Sequence, residues 1–225
     1  MNEALFFLTI VINFSGILLA YKFFGKAGLF SWIALATVLT NIEVLKCVDM
    51  FSLSLTLGNV LYGTTFLATD ILNEMYGLKE ARKAVYIGLF SMILFTIISQ
   101  VNLLFIPNEA DFASDAMKTL FSLTPRLCVA SLIAFFVSNL LDTYLFDVLK
   151  RKYKALYIRN NVSTMISQLI DNVIFTFLAF GGVFPLNVLG EIIFTSYIIK
   201  LIVSACDTPF IYLAKKIKKM EVQNG

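Results

Sequence analysis

Apolar runs of the length a bilayer-crossing helix needs, about 20 residues, recur along the whole of this chain. A chain that must bury so many of them has few folds open to it. The runs are continuously apolar rather than alternating, which favours helices over the strands of a membrane barrel. Charged residues make up 15% of the sequence, where a soluble domain carries about 25%. Mean hydropathy is +0.83. The predicted fold is all-α: a polytopic membrane helical bundle forming one transmembrane domain over 1–225.

Seven spans are predicted, at 5–21, 29–45, 51–73, 85–106, 125–146, 162–181 and 186–214. The segments at 22–26, 77–83 and 147–161 and the C-terminal tail are basic, while those at 107–118 and 182–190 carry little positive charge. Positive loops stay on the cytoplasmic side. Seven spans put every basic segment there, with the N-terminus outside and the C-terminus cytoplasmic. The third span, with Gly58, Gly63, Thr64 and Thr65 near its middle, is the least regular, and a kink or a break lining a cavity is expected in it. The first span carries few polar residues, Asn13 and Ser15 among them, and is read as a retained, peripheral helix at 5–21 rather than a cleaved signal.

Several chemistries are excluded. The chain has no histidine, which removes Ser-His-Asp and Cys-His catalysis and histidine metal ligation. Cys47, Cys128 and Cys206 are far apart and form no CxxC, so buried apolar packing is expected of each and a zinc site is not. There is no P-loop. No cofactor, metal or enzymatic activity is expected. The net charge of +3 belongs to the loops and tail, and signals topology rather than nucleic-acid binding.

Four spans carry polar residues at helical spacing. They are Asp70, Asn73 and Glu74; Ser138, Asn139 and Asp142; Thr164, Ser167, Gln168 and Asp171; and Lys200, Ser204 and Asp207. Residues three and four apart share a helix face. Lipid offers such groups no partners, so the stripes are expected to face one another around a polar cavity. Other roles compete at some positions. Ala130, Ala134 and Ser138 form a small-residue stripe suited to close helix packing. Asp207 either faces the cavity or pairs with Lys200 or tail lysines, and Arg126 either faces it or reaches the headgroups. Carboxylates and amides without histidine suit a ligand rich in N–H donors. A carboxylate can accept two parallel N–H bonds from the N1–H and 2-amino edge of a guanine-like base, an amide can pair in the same way, and aromatic rings can stack on it.

The stretch 67–77, LATDILNEMYG, followed by Lys79-Glu80-Ala81-Arg82-Lys83, resembles the signature of the queuosine precursor transporter family, also called the vitamin uptake transporter family. Asn41 to Lys46 is similar to its early polar motif. Arg126 through Ser138, Asn139 and Asp142 resembles its arginine-and-aspartate helix. Arg159, Ser163-Thr164, Gln168 to Asp171 and Phe180-Gly181-Gly182 resemble its next helix, and Lys200 with Asp207, Thr208 and Pro209 its last. The likeness covers about 29–213, which implies a six-helix transporter core preceded by an added helix. The family commonly has Gln where this chain has Asn139, an amide one methylene shorter.

The resemblance implies a multi-pass protein of the bacterial inner membrane that imports 7-deazaguanine bases (preQ0, preQ1 or queuine) for tRNA modification. It assigns substrate contact to Asn41, Asp70, Asn73, Glu74, Arg126, Asn139, Asp142, Gln168, Asp171 and Lys200. The partners implied are the substrate base and the lipid bilayer, with a second copy or an ATPase coupling module left open. Asp70 or Glu74 is a candidate proton site in a carrier that works without ATPase partners. Two further readings stand beside this one: the substrate-binding subunit of an ATP-driven, energy-coupling-factor type vitamin importer, and a membrane aspartyl protease or lipid-modifying enzyme built on Asp142 and Asp171. No GxGD-type motif supports the last.

Overall fold

A single 42-residue helix, α1 (Asn2–Glu43), opens the computed structural model, and it doubles back on itself at Gly25. The structure describes residues 2–43, 46–50, 53–121, 125–182 and 185–224. Gly25 has φ +55°, a left-handed conformation that glycine adopts without strain. A Cβ on Gly16 would lie 2.6 Å from the Trp32 ring, although sixteen residues along a straight helix span about 24 Å. A Cβ on Gly28 would meet the Ala20 carbonyl oxygen at 2.1 Å, so only a hydrogen fits there. The 5–21 run and residues 29–43 of the next therefore lie on two antiparallel arms, with 44 and 45 outside the described residues.

A short antiparallel pair follows, β1 (Cys47–Met50) and β2 (Leu53–Thr56), with Cys47 opposite Thr56. Helix α2 (Gly58–Tyr76) comes next, then α3 (Leu78–Asn102). Gly77 alone joins them; at φ +90° its N–H closes α2 on the carbonyls of Leu72 and Asn73. Then come α4 (Ser114–Phe121), α5 (Pro125–Lys152), α6 (Leu156–Phe180), α7 (Leu186–Ala205) and α8 (Asp207–Asn224). Among the described residues, five stretches are long and apolar enough to cross a membrane: α1, α3, 129–152 of α5, α6, and 189–217 across α7 and α8. The molecule is a membrane-type helical bundle.

Three sequence expectations change. The third span does not begin at Phe51, which lies outside the described residues; the helix starts at Gly58, after the strand pair. Nor does α2 break at its glycine and threonines. Thr64, Thr65 and Thr69 donate their hydroxyls back to carbonyls three residues earlier, at 2.6–2.8 Å, so their polar groups are satisfied inside the helix. The break comes instead in the last span, at Cys206 between α7 and α8. Pro209 accounts for it: with no N–H, it cannot continue the helix's hydrogen-bond ladder. The 107–118 loop also carries the start of α4. The side chains of Cys47, Cys128 and Ser204, whose roles the sequence raised, lie outside the described residues.

Burial is inverted relative to a water-soluble protein. Phe23, Phe24, Phe90 and Phe194 are each more than 60% exposed, while Asp70, Asn73, Asn139, Asp142, Gln168 and Asp207 are within 1% of full burial. Such an arrangement suits lipid outside and polar partners inside. The first arm of α1 buries Phe6, Ile10, Phe14, Ile17 and Tyr21 against residues of α2 and α8 such as Ile71 and Ile211, and turns Phe7, Leu8, Val11 and Ile12 outward.

Ion pairs gather the basic segments at one end. Lys26 beside the Gly25 turn meets Glu80 at 3.1 Å. Glu74 draws in Lys150 of α5, Arg159 of α6 and Lys215 of α8. The opposite end carries the strand pair and the α6 C-terminus.

Candidate functional site

A cavity of about 780 Å³, counted out to its open mouth, occupies the half of the bundle nearer the strand pair. The second arm of α1 and helices α2, α3, α5, α6 and α7 all contribute to its wall. Polar groups from several helices converge on it: Thr40 and Asn41, Asn59 and Tyr62, Asp171 and Asn172, and Lys200. Phe135 and Phe175 supply flat apolar wall. A concave, largely apolar site with a few convergent polar groups is the usual form of a small-molecule pocket.

Asp171 is its electrostatic centre. One carboxylate oxygen accepts the Tyr62 hydroxyl at 2.5 Å and the Ser138 hydroxyl at 3.1 Å. The other accepts Lys200 at 2.5 Å, and the Lys200 ammonium also lies 4.9 Å from the Tyr62 ring centroid. All the partners are buried or nearly so. Two carboxylate oxygens offer about four acceptor positions, and three of them are filled. Facing the same space, the Asn172 amide nitrogen and the Thr40 hydroxyl have no hydrogen-bond partner among the described residues. Tyr62→Phe deletes a charge-assisted hydrogen bond, an interaction of about 1.5–3 kcal/mol. It is expected to lower stability by that amount, read as a shifted denaturation midpoint in detergent. An unchanged midpoint would remove Tyr62 from the network.

Two polar layers lie between the cavity and the basic end. The first is anionic. Asp70 of α2 and Asp142 of α5 face each other, with Asp207 at the start of α8 near them and Ser163, Thr164 and Ser167 of α6 around Asp142. The second is the ion-pair knot on Glu74, with Arg159 at 3.0 Å, Lys150 at 3.7 Å and Lys215 at 2.5 Å. Lys150 also donates to the Asn73 and Glu74 carbonyls, which end α2.

Of the ten residues singled out from sequence, Asn41, Asp171 and Lys200 line the cavity. Asp70 and Asp142 lie in the anionic layer, and Glu74 in the knot. Asn73 donates to the Thr143 carbonyl at 3.1 Å, tying α2 to α5, and Asn139 to the Phe135 carbonyl of its own helix at 2.9 Å; the amide oxygen of each has no hydrogen-bond partner among the described residues. Gln168 is fully buried with neither amide atom partnered. Arg126 reaches neither the cavity nor, by this arrangement, a headgroup as its main partner. It donates to the Leu178 and Gly181 carbonyls at 2.7 and 2.6 Å and caps the α6 C-terminus. Asp207 does not pair with Lys200, which is held by Asp171, and Lys215 goes to Glu74. The Ala130–Ala134–Ser138 stripe is buried as close packing requires, and Ser138 also serves Asp171. Tyr62, Asn59, Thr40 and Asn172 went unnoticed in the sequence. Asn172 adjoins Asp171, and Asn59 lies three residues before Tyr62 on one helix face; that spacing was the available signal.

A family model described as "Putative vitamin uptake transporter" matches residues 56–214. A Bacillus subtilis (strain 168) protein named "Probable queuosine precursor transporter" is 44% identical over 219 residues, 96% of each chain. A Haemophilus influenzae protein of the same name is 26% identical over 167 residues, covering 72% of this chain and 69% of that protein. No solved structure matches.

Proposed function

The chain belongs to the vitamin uptake transporter family, and from that premise we propose that it imports a queuosine precursor, a 7-deazaguanine base, across the bacterial inner membrane. The observation that carries this is the buried Asp171 carboxylate, held by Tyr62, Ser138 and Lys200 beside the unpartnered Asn172 amide in an aromatic-walled cavity. Its remaining acceptor position suits the N1–H or 2-amino group of a guanine-like edge. The Asn172 N–H₂ suits the neighbouring ring carbonyl, and Phe135 and Phe175 suit the ring faces. Lys200 holds the Asp171 carboxylate in position.

The proposed topology has seven spans, with the N-terminus outside and the basic end cytoplasmic. The ion pairs that bring the Gly25 turn, the Gly77 joint, the α5–α6 connection and α8 together support it, because alternate connections of an odd-numbered bundle must share one side. Helix α2, 19 residues long, reaches about 28 Å, close to the roughly 30 Å of hydrocarbon. The cavity then faces outward, and the Glu74 knot closes the cytoplasmic side. The AxxxA stripe is buried within the bundle and offers no docking face to an ATPase module.

The test is rescue of queuosine formation. A bacterium lacking queuosine synthesis and its own importer receives this chain alone, with preQ0, preQ1 or queuine at low concentration and, for queuine, an enzyme able to insert it. Queuosine in tRNA, detected by retarded mobility on a boronate gel, is expected with one of the three. No queuosine with any of them, despite confirmed membrane expression, would overturn the proposal.

A further inference from the structure

The anionic layer has no counterpart for its charge. Asp171 and Glu74 each hold cations, yet no ion pair reaches Asp70, Asp142 or Asp207 among the described residues, and all three are 0% exposed. The groups facing them come from every neighbouring element. Asp70 faces Asp142, Asp207 and Glu74, the last already neutralised by its own cations. Asp142 faces Asp70 and the hydroxyls of Ser163, Thr164 and Ser167, and Tyr62 approaches it from the cavity side. Asp207 faces Asp142, with Cys206 beside it at the helix break. The Thr164 and Ser167 hydroxyls, fully buried, lie against Asp142. This is a built polar site lying outside the cavity wall, toward the basic end.

Two carboxyl groups facing each other in a low-dielectric interior cannot both be ionised; they share a proton or bind a cation. Among the described residues no group of three or more Asp, Glu or Cys side chains stands close enough to hold a metal ion. The position matters as well. On α6, Ser163 and Thr164 lie eight and seven residues before Asp171, about 10–12 Å along the axis, and Arg159 of the knot lies four residues before Ser163. The layer therefore separates cavity from knot, across the α2–α5 seam.

Resting on the importer function above, we propose that Asp70 and Asp142, with Asp207 beside them, form a proton-exchange site that couples substrate entry to the proton gradient. The step is protonation alone. An O–H bond forms on one carboxylate from the cavity side and breaks toward the cytoplasm, with no other bond changed. The shared proton holds α2 against α5. Its release leaves two like charges facing each other, which drives the seam apart and opens the route past Glu74.

The experiment uses the purified full-length chain in liposomes, with preQ1, preQ0 and queuine as probes. An inward proton gradient is expected to raise initial uptake of the transported base at least fivefold over the gradient-free rate, to be cancelled by a protonophore, and to coincide with alkalinisation of the medium by a pH dye. Asp70→Asn and Asp142→Asn are expected to lose the gradient response. The wild-type proton flux does not depend on the variants folding. Exchange without any gradient response in the wild type would overturn the proton site and leave the importer standing. Acceleration by sodium instead of protons would also overturn it. Absence of both exchange and uptake for all three bases would overturn the import function itself.

Discussion

Lys200→Met is expected to abolish uptake and to cost the fold about 3–5 kcal/mol, the usual penalty for removing one partner of a buried ion pair. Lys200 and Asp171 are 7% and 4% exposed, and their contact is 2.5 Å. Once the ammonium is gone, the carboxylate keeps only the Tyr62 and Ser138 hydroxyls. Asp171→Asn leaves the opposite orphan, an ammonium over the Tyr62 ring, and should cost a similar amount. The double variant Lys200→Met/Asp171→Leu removes both charges, and replacing a buried pair by apolar side chains is often neutral. Stability is expected to return in the double variant while uptake stays at least a hundredfold down. Denaturation midpoints and uptake of the three precursor bases measure both halves. A double variant that transports would mean the pair serves only the fold.

Glu74→Gln is expected to destabilise by about 3 kcal/mol, because Arg159 is buried and loses its carboxylate. The two lysines add little: the Lys150 and Lys215 side chains are 32% and 36% exposed, in the range where an ion pair contributes about 0–1 kcal/mol. The variants should therefore rank. Arg159→Ala should match Glu74→Gln, while Lys150→Ala and Lys215→Ala each lose less than about 1 kcal/mol. Uptake should fall at least tenfold in the first pair, since the knot closes the cytoplasmic side in the proposed topology. Equal losses for Lys215→Ala and Arg159→Ala would show that the knot acts through net charge rather than through the buried pair.

The helical bundle was legible from residues 5–214 because apolar length and loop charge are one-dimensional signals, and the Lys26–Glu80 and Glu74 contacts obey the same sidedness. The helix face carrying Thr164, Ser167, Gln168 and Asp171 was legible for the same reason: period alone places them together. What period does not give is depth. Asp70 and Glu74 share a face with one helical turn between them, yet one lies in the uncompensated layer and the other in a knot of cations. Which of them meets a cation depends on α5, α6 and α8, whose registers against α2 no local pattern states. Tyr62 was missed because aromatic residues are abundant here and its hydroxyl matters only through Asp171, 109 residues away. The partners of Arg126 are backbone carbonyls, which have no residue type for a sequence pattern to show. The helix break moved from Gly63 to Cys206 because threonine hydroxyls satisfied α2 from within, while Pro209 removed a donor from the last span.

Helix α2 is enclosed almost throughout, its residues from Val60 to Asn73 nearly all buried, and among the described residues it is not one of the stretches apolar enough to enter a bilayer unaided. Asp70 and Glu74 both oppose its partition from the translocon. Synthesis supplies a remedy through the single-residue link at Gly77. As α3 leaves the ribosome, its strongly apolar length pulls α2 in with it as a helical hairpin, while the already inserted arms of α1 offer Ile33 and Tyr21 as a first surface to lie against. Helix α2, which carries Asp70 and Glu74, is thus expected to depend for its insertion on the apolar helices beside it, α1 and α3. It stays exposed to quality-control proteolysis until α5 and α6 arrive to cover Asp70.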